Sequence, residues 1–143
     1  MNITNEQKHL VQKTFGEIAD TERLATRLYE RLFEIDPTTQ TLFMRNMAEQ
    51  RTMLLLAIST VVYGINDIPA ISPAIQHLSK RHVGYGVTLQ HWHNMSQALM
   101  GALEDMLGTS FTPEVRDAWL AAYGVITQIV IDTAYPHVGN TSM

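Results

Sequence analysis

The chain has 143 residues, 45% of them apolar and 17% charged, which suits one domain with a substantial core and argues against disorder. Ten Lys+Arg against 14 Asp+Glu leave a formal charge of −4, so no basic surface is available to neutralise nucleic-acid phosphates. Cysteine is absent, which excludes disulfides, thiolate metal sites and cysteine nucleophiles and fits a reducing, cytoplasmic compartment. The N-terminal MNITNEQKHLVQK has no apolar signal core. The most apolar run, Met53 to Ile65, has 13 residues broken by Ser59 and Thr60, too short to span a membrane.

Apolar residues recur at three- and four-residue steps, with no sustained period-two alternation, so the fold class is all-α. Helices are expected over 4–19, 21–35, a short turn at 37–43, 46–66, 70–83, 88–107 and 113–134, joined by short connections. Thr4 and Gln7 form a capping box for the first. All five prolines fall at expected helix ends. Pro37 after Asp36 and Pro113 after Thr112 are cap-then-proline starts, Pro69 and Pro73 open the segment ending near Gly84 and Gly86, and Pro136 closes the last helix. Residues 1–136 then make one domain, with 137–143 a loose tail.

Three polar side chains interrupt apolar faces. On 21–35, Leu24, Ala25, Leu28, Leu32 and Phe33 point inward and Arg23, Arg27, Glu30, Arg31 and Glu34 outward. Tyr29 falls in the apolar half, and its hydroxyl needs a partner, by default a backbone carbonyl. On 46–66, Met47, Leu54, Ala57, Ile58, Val61 and Ile65 share a face with Gln50 in its middle; that amide either bonds inside, sits at a pocket mouth or bends out to water. On 70–83, Ile71, Ile75 and Leu78 lead to His82, an inward imidazole that serves as a hydrogen-bonded core residue or as a ligand. His77 is on the solvated side. On 88–107 the inner stripe is Trp92, Met95, Leu99, Leu103 and Met106; His91 and His93, about 200° apart around it, cannot chelate one ion. Phe43 reads most simply as a packing residue, and no phosphate loop, HExxH or GxSxG motif is present.

In this order, RLYERLF with Tyr29, LF ending in Phe43, EQR with Gln50, KRHVGYGV with His82 and DAWLAAYGV with Trp119 and Tyr123 resemble the globin family over nearly the whole chain. The wording is similar to single-domain bacterial globins and the haem domains of flavohaemoglobins. The resemblance implies a globin fold binding haem b, His82 as the iron ligand, Phe43 wedged against the porphyrin, and Tyr29, Gln50 and Leu54 lining the ligand-binding side. Leu78, Val83, Val87 and Trp92 would pack around the histidine side. Tyr29 and the Gln50 amide would donate to bound dioxygen in a largely apolar pocket.

Two departures stand out. Flavohaemoglobins link the iron-binding histidine to a tyrosine and a glutamate, whereas the matching positions here hold Trp92 and Ala134. By default the imidazole N–H would then bond a carbonyl of its own helix or Ser79, leaving iron less electron-rich. No reductase is expected within a chain of this length, so turnover that oxidises iron needs an outside electron donor. The function implied is reversible dioxygen binding or delivery, with carbon monoxide and nitric oxide as further ligands. The alternatives are nitric oxide dioxygenase served by an external reductase and a haem-based gas sensor. A monomer or weak homo-oligomer, without nucleic-acid or membrane partners, is expected.

Overall fold

A computed structural model describes residues 3–42, 46–84 and 88–134, and for 41, 42 and 81–84 the backbone alone. Its α-helices are α1 (Asn5–Glu17), α2 (Thr21–Ile35), α3 (Met47–Gly64), α4 (Ile68–Gly84), α5 (Leu89–Leu107) and α6 (Pro113–Ala134). Short 3₁₀ turns occupy Pro37–Leu42 and Gly108–Ser110, and no strand occurs among the described residues.

Capping explains where these helices begin. Thr4 and Gln7 form the expected box, with both bonds at 3.0 Å. Thr112 accepts from the Val115 N–H ahead of Pro113, as expected from that pair. Asp20 and Asn46 cap α2 and α3 by accepting from Arg23 and Ala48. At α5, Thr88 and His91 form a box in which the imidazole Nδ1 takes the place of a carboxylate, accepting from the Thr88 N–H at 2.9 Å. His91 therefore has a structural task that its spacing did not disclose. Asp67 accepts from the Ala70 N–H, so α4 starts two residues earlier than expected. Pro69 sits in its first turn, where a missing N–H costs nothing, but Pro73 lies inside the helix and not at its start. The Ser72 hydroxyl donates to the Ile68 carbonyl in the same stretch. Gly108, with φ of 57°, ends α5 in a conformation that side-chain-bearing residues avoid.

The core forms where α2 packs on α5 and α1 on α6, while α4 packs on α6. Leu24, Leu28 and Leu32 join Ala98, Leu99, Ala102 and Leu103 within it. Two polar ties hold these layers in register. Trp119 Nε1 donates to the buried Thr14 hydroxyl at 2.9 Å, and that hydroxyl donates to the Leu10 carbonyl at 2.7 Å. Arg27 and Arg31 of α2 both bond Asp105 of α5, at 2.9 and 2.8 Å. The Arg31 hydrogen bond, followed by that of Arg27, holds the Asp105 carboxyl down at about 2. The bare face of Gly101 admits the Arg31 stem, which lies where a Cβ would be.

Two expected inner faces turn inward but are only partly covered. On α3 only Val62 and Ile65, at its C-terminal end, are fully buried, while Met47, Gln50, Leu54, Ala57, Ile58 and Val61 are half-buried. This helix is apolar nearly all round, with Leu56 and Tyr63 more than two-thirds exposed, so its pattern did not dictate one inner face. On α5, Met100 and Asn94 join the buried set, whereas Trp92, Met95 and Met106 are half-buried. That helix lies between α2 and α6 and is covered on more than one side.

Candidate functional site

α2 and α3 bring three expected site residues together. Tyr29 is 5% exposed, and its hydroxyl donates to the Gln50 backbone carbonyl at 3.4 Å. Hydroxyl donors usually sit about 2.7–2.8 Å from their acceptors, so this bond is weak. The partner is the carbonyl of Gln50 and not its amide; the half-buried Gln50 side chain lies in the first turn of α3. Leu54, one turn on, is half-buried against the core. The Phe33 ring tilts 32° against that of Tyr29 at 5.9 Å. Burial pushes the Tyr29 phenol up to about 12, while the Arg51 charge opposes the rise. At neutral pH the phenol is therefore an uncharged donor.

The second group lies on α4 and α5. Leu78 is half-buried and Ser79 is buried, its hydroxyl donating to the Ile75 carbonyl at 2.7 Å. That hydroxyl keeps acceptor capacity one turn before His82, which lies in the last turn of α4. His77 is exposed, as expected. Trp92 is half-buried in the first turn of α5, and its carbonyl accepts from the Tyr123 hydroxyl at 2.6 Å. Burial drives the Tyr123 phenol far upward, so it too stays neutral. Ala134 is the final residue of α6, and the neighbouring Asp132 is exposed and bonded to Gln128. Phe43, Val87 and the His82 and Val83 side chains lie outside the described residues. Among the described residues no cluster of three His, Asp or Glu is arranged to hold a metal ion.

Sequence reasoning gave two contributors no role. Arg51, within the quoted EQR, brings a cation close enough to act on Tyr29. Tyr123 supplies the hydroxyl tied to Trp92, a role legible only as its position four residues after buried Trp119.

Solvent-open cavities among the described residues include a groove and a cleft. A groove of about 510 Å³ between α4 and α6 is lined by residues such as Pro69, Pro73 and Ile129 and includes none of the expected site residues. A cleft of about 180 Å³ between α2 and α3 is lined by Glu22, Thr26, Ala48, Arg51, Thr52 and Leu55.

A haem needs a broad apolar wall, one neutral imidazole to hold iron and few donors on the opposite face. The half-buried apolar row of α3, with the neutral Tyr29 phenol at its N-terminal end, has that chemistry. His82 at the end of α4, after the buried Ile75 and Ser79, is a suitable candidate ligand.

The globin family model matches residues 26–130. A flavohemoprotein of Xylella fastidiosa (strain Temecula1) is 36% identical over 110 residues, covering 73% of this chain and 27% of its own length. A flavohemoprotein of Deinococcus radiodurans is 31% identical over 135 residues, covering 90% of this chain and 33% of its own. The chain thus spans about a quarter to a third of these relatives. Among solved structures, a carbene transferase engineered from a provisionally named nitric oxide dioxygenase of Rhodothermus marinus superimposes with a TM-score of 0.86. It is 20% identical and covers 99% of this chain and 100% of its own. A bacterial globin of Campylobacter jejuni gives 0.81 at 23% identity, covering 95% and 99%. At these identities the structures speak for the fold.

Proposed function

Because the chain belongs to the globin family, we propose that it binds dioxygen reversibly at a haem held by His82, with Tyr29 as the principal donor to the ligand. Family membership implies a haem cofactor and a diatomic gas as ligand. With no cysteine for thioether links, the haem would be of b type, bound without a covalent bond. When bound, haem supplies an iron centre with a coordination position for a gas.

The observation that carries this reading is the Tyr29 hydroxyl: buried, neutral and donating to the Gln50 carbonyl across a long 3.4 Å bond. A bond this long is given up for a polar ligand at small cost, and the Gln50 amide adds a second donor. Leu54 and Phe43 exclude water, while Leu78, Val87 and Trp92 flank the His82 side. Ser79 supports the His82 N–H as acceptor, in the absence of a carboxylate at Ala134.

Nitric oxide dioxygenation, in which dioxygen and nitric oxide combine to nitrate and an outside reductase restores ferrous iron, is the second reading. The flavohemoprotein relatives, matched over only part of their length, favour it.

Spectra of the ferric, ferrous and carbon-monoxide forms test the primary claim, which expects a mainly five-coordinate ferrous form that binds carbon monoxide. Folded His82→Ala should lose haem or change its spectrum; normal occupancy with unchanged spectra would remove His82 as ligand. Rapid nitrate formation when nitric oxide meets the oxygenated protein would favour the second reading.

A further inference from the structure

We propose that the cleft between α2 and α3 binds a small monovalent oxyanion through Arg51, whose charge draws such anions toward the neighbouring gas-binding side. This rests on the reading of Tyr29 and Gln50 as the gas-binding side. The cleft, about 180 Å³, takes Glu22 and Thr26 from α2 and Ala48, Arg51, Thr52 and Leu55 from α3. Arg51 is half-buried, and among the described residues no carboxylate lies within ion-pair distance of it, although Glu22 lines the same cleft. A guanidinium partly withdrawn from water needs acceptors for its five N–H groups. The nearby hydroxyls do not compete as donors. Thr26 donates to the Glu22 carbonyl and Thr52 to the Ala48 carbonyl, each at 3.0 Å.

The planar fork of Arg51 matches a planar oxyanion, which accepts two parallel N–H bonds. Size follows from the cavity. Glu22 limits the charge, because its carboxylate repels a dianion more strongly than a monoanion. Arg51 also directly follows Gln50, whose carbonyl takes the Tyr29 hydroxyl, and its charge acts on that phenol. Neither Tyr29 nor Gln50 lines the cleft, so Arg51 is what connects it to them. Nitrate, the product under the second reading above, belongs to this chemical class.

Titration of the purified protein with sodium nitrate at constant ionic strength, followed by nuclear magnetic resonance, reads the site directly. Saturable shifts are expected at the Arg51 Nε–H and the Thr26, Ala48 and Thr52 amides. Arg51→Gln should abolish them, and Glu22→Gln should tighten binding about threefold by removing the like charge. In the ferric holoprotein, azide association should slow at least threefold in Arg51→Gln and lose salt dependence, while carbon-monoxide association to ferrous protein stays unchanged.

Failure to see saturable nitrate shifts in folded wild-type protein, or their survival in Arg51→Gln, overturns the anion site. Equal slowing of azide and carbon monoxide overturns steering by the Arg51 charge and indicates steric damage. Nitrate shifts in protein that takes up no haem would refute the gas-binding reading, and with it the steering, while the anion site stands.

Discussion

Tyr29→Phe removes one oxygen atom from the candidate ligand side and leaves the ring against Phe33. A hydrogen bond to a partly charged acceptor contributes about 1.5–3 kcal/mol. To donate to a gas ligand, Tyr29 first gives up its 3.4 Å bond to the Gln50 carbonyl. So long a bond is worth about 0.5 kcal/mol. The net contribution is then about 1–2.5 kcal/mol, and at about 1.4 kcal/mol per tenfold the variant should release dioxygen roughly 5- to 60-fold faster. Stopped-flow displacement of dioxygen by excess carbon monoxide measures this, and displacement of carbon monoxide by nitric oxide is the control. Carbon monoxide, less polar when bound, should change by less than about threefold. Urea unfolding should show a loss below about 1 kcal/mol, since the bond to the Gln50 carbonyl is long and weak. Equal effects on both gases would make the role steric, and an unchanged dioxygen rate would refute Tyr29 as donor.

Alkaline stability should also depend on Tyr29. Its phenol is raised from 10.0 to about 12 in the fold, so the unfolded chain loses its proton first as pH rises. That contribution is complete below pH 10 and falls by about 2–3 kcal/mol as pH rises to about 12, so Tyr29→Phe should flatten this limb of the pH–stability curve. Asp105 acts at the other end. Held at about 2, its contribution is complete above the ordinary value of 3.8 and is lost as pH falls through 2. Asp105→Asn should cost about 1 kcal/mol at neutral pH, the scale of a half-exposed ion-pair network, and flatten the acid limb. Thr14→Val, close in shape, should cost about 1–3 kcal/mol in urea unfolding by leaving the buried Trp119 N–H unpaired; a neutral result would mean the indole finds another acceptor. Gly101→Ala should gain less than the roughly 1 kcal/mol of an open helix site, because the new methyl displaces Arg31. In an Arg31→Ala background the full gain should appear; equal gains in both backgrounds would show that Arg31 yields freely.

Much of this protein was readable from local chemistry. Helix class and most ends followed from three- and four-residue periodicity and from caps such as Thr4 with Gln7 and Thr112 before Pro113. The inward turn of Tyr29 and the outward turn of His77 followed from their helical positions alone. The order of Tyr29, Phe43, Gln50 and His82 led to the family that the comparisons support. What periodicity encodes is which side of a helix is apolar, and not what covers it. Tertiary packing therefore decided that the Tyr29 hydroxyl meets the carbonyl of Gln50 and that Arg51 lines a cleft between α2 and α3. It also decided that α3, apolar on nearly every side, buries Val62 and Ile65 while leaving Leu56 and Tyr63 exposed. Thr14 with Trp119, Arg31 with Asp105 and Tyr123 with Trp92 pair across 105, 74 and 31 residues of chain. A local pattern has no means of specifying such partners, because each pairing exists only after the helices carrying it have been brought together by burial of their apolar faces.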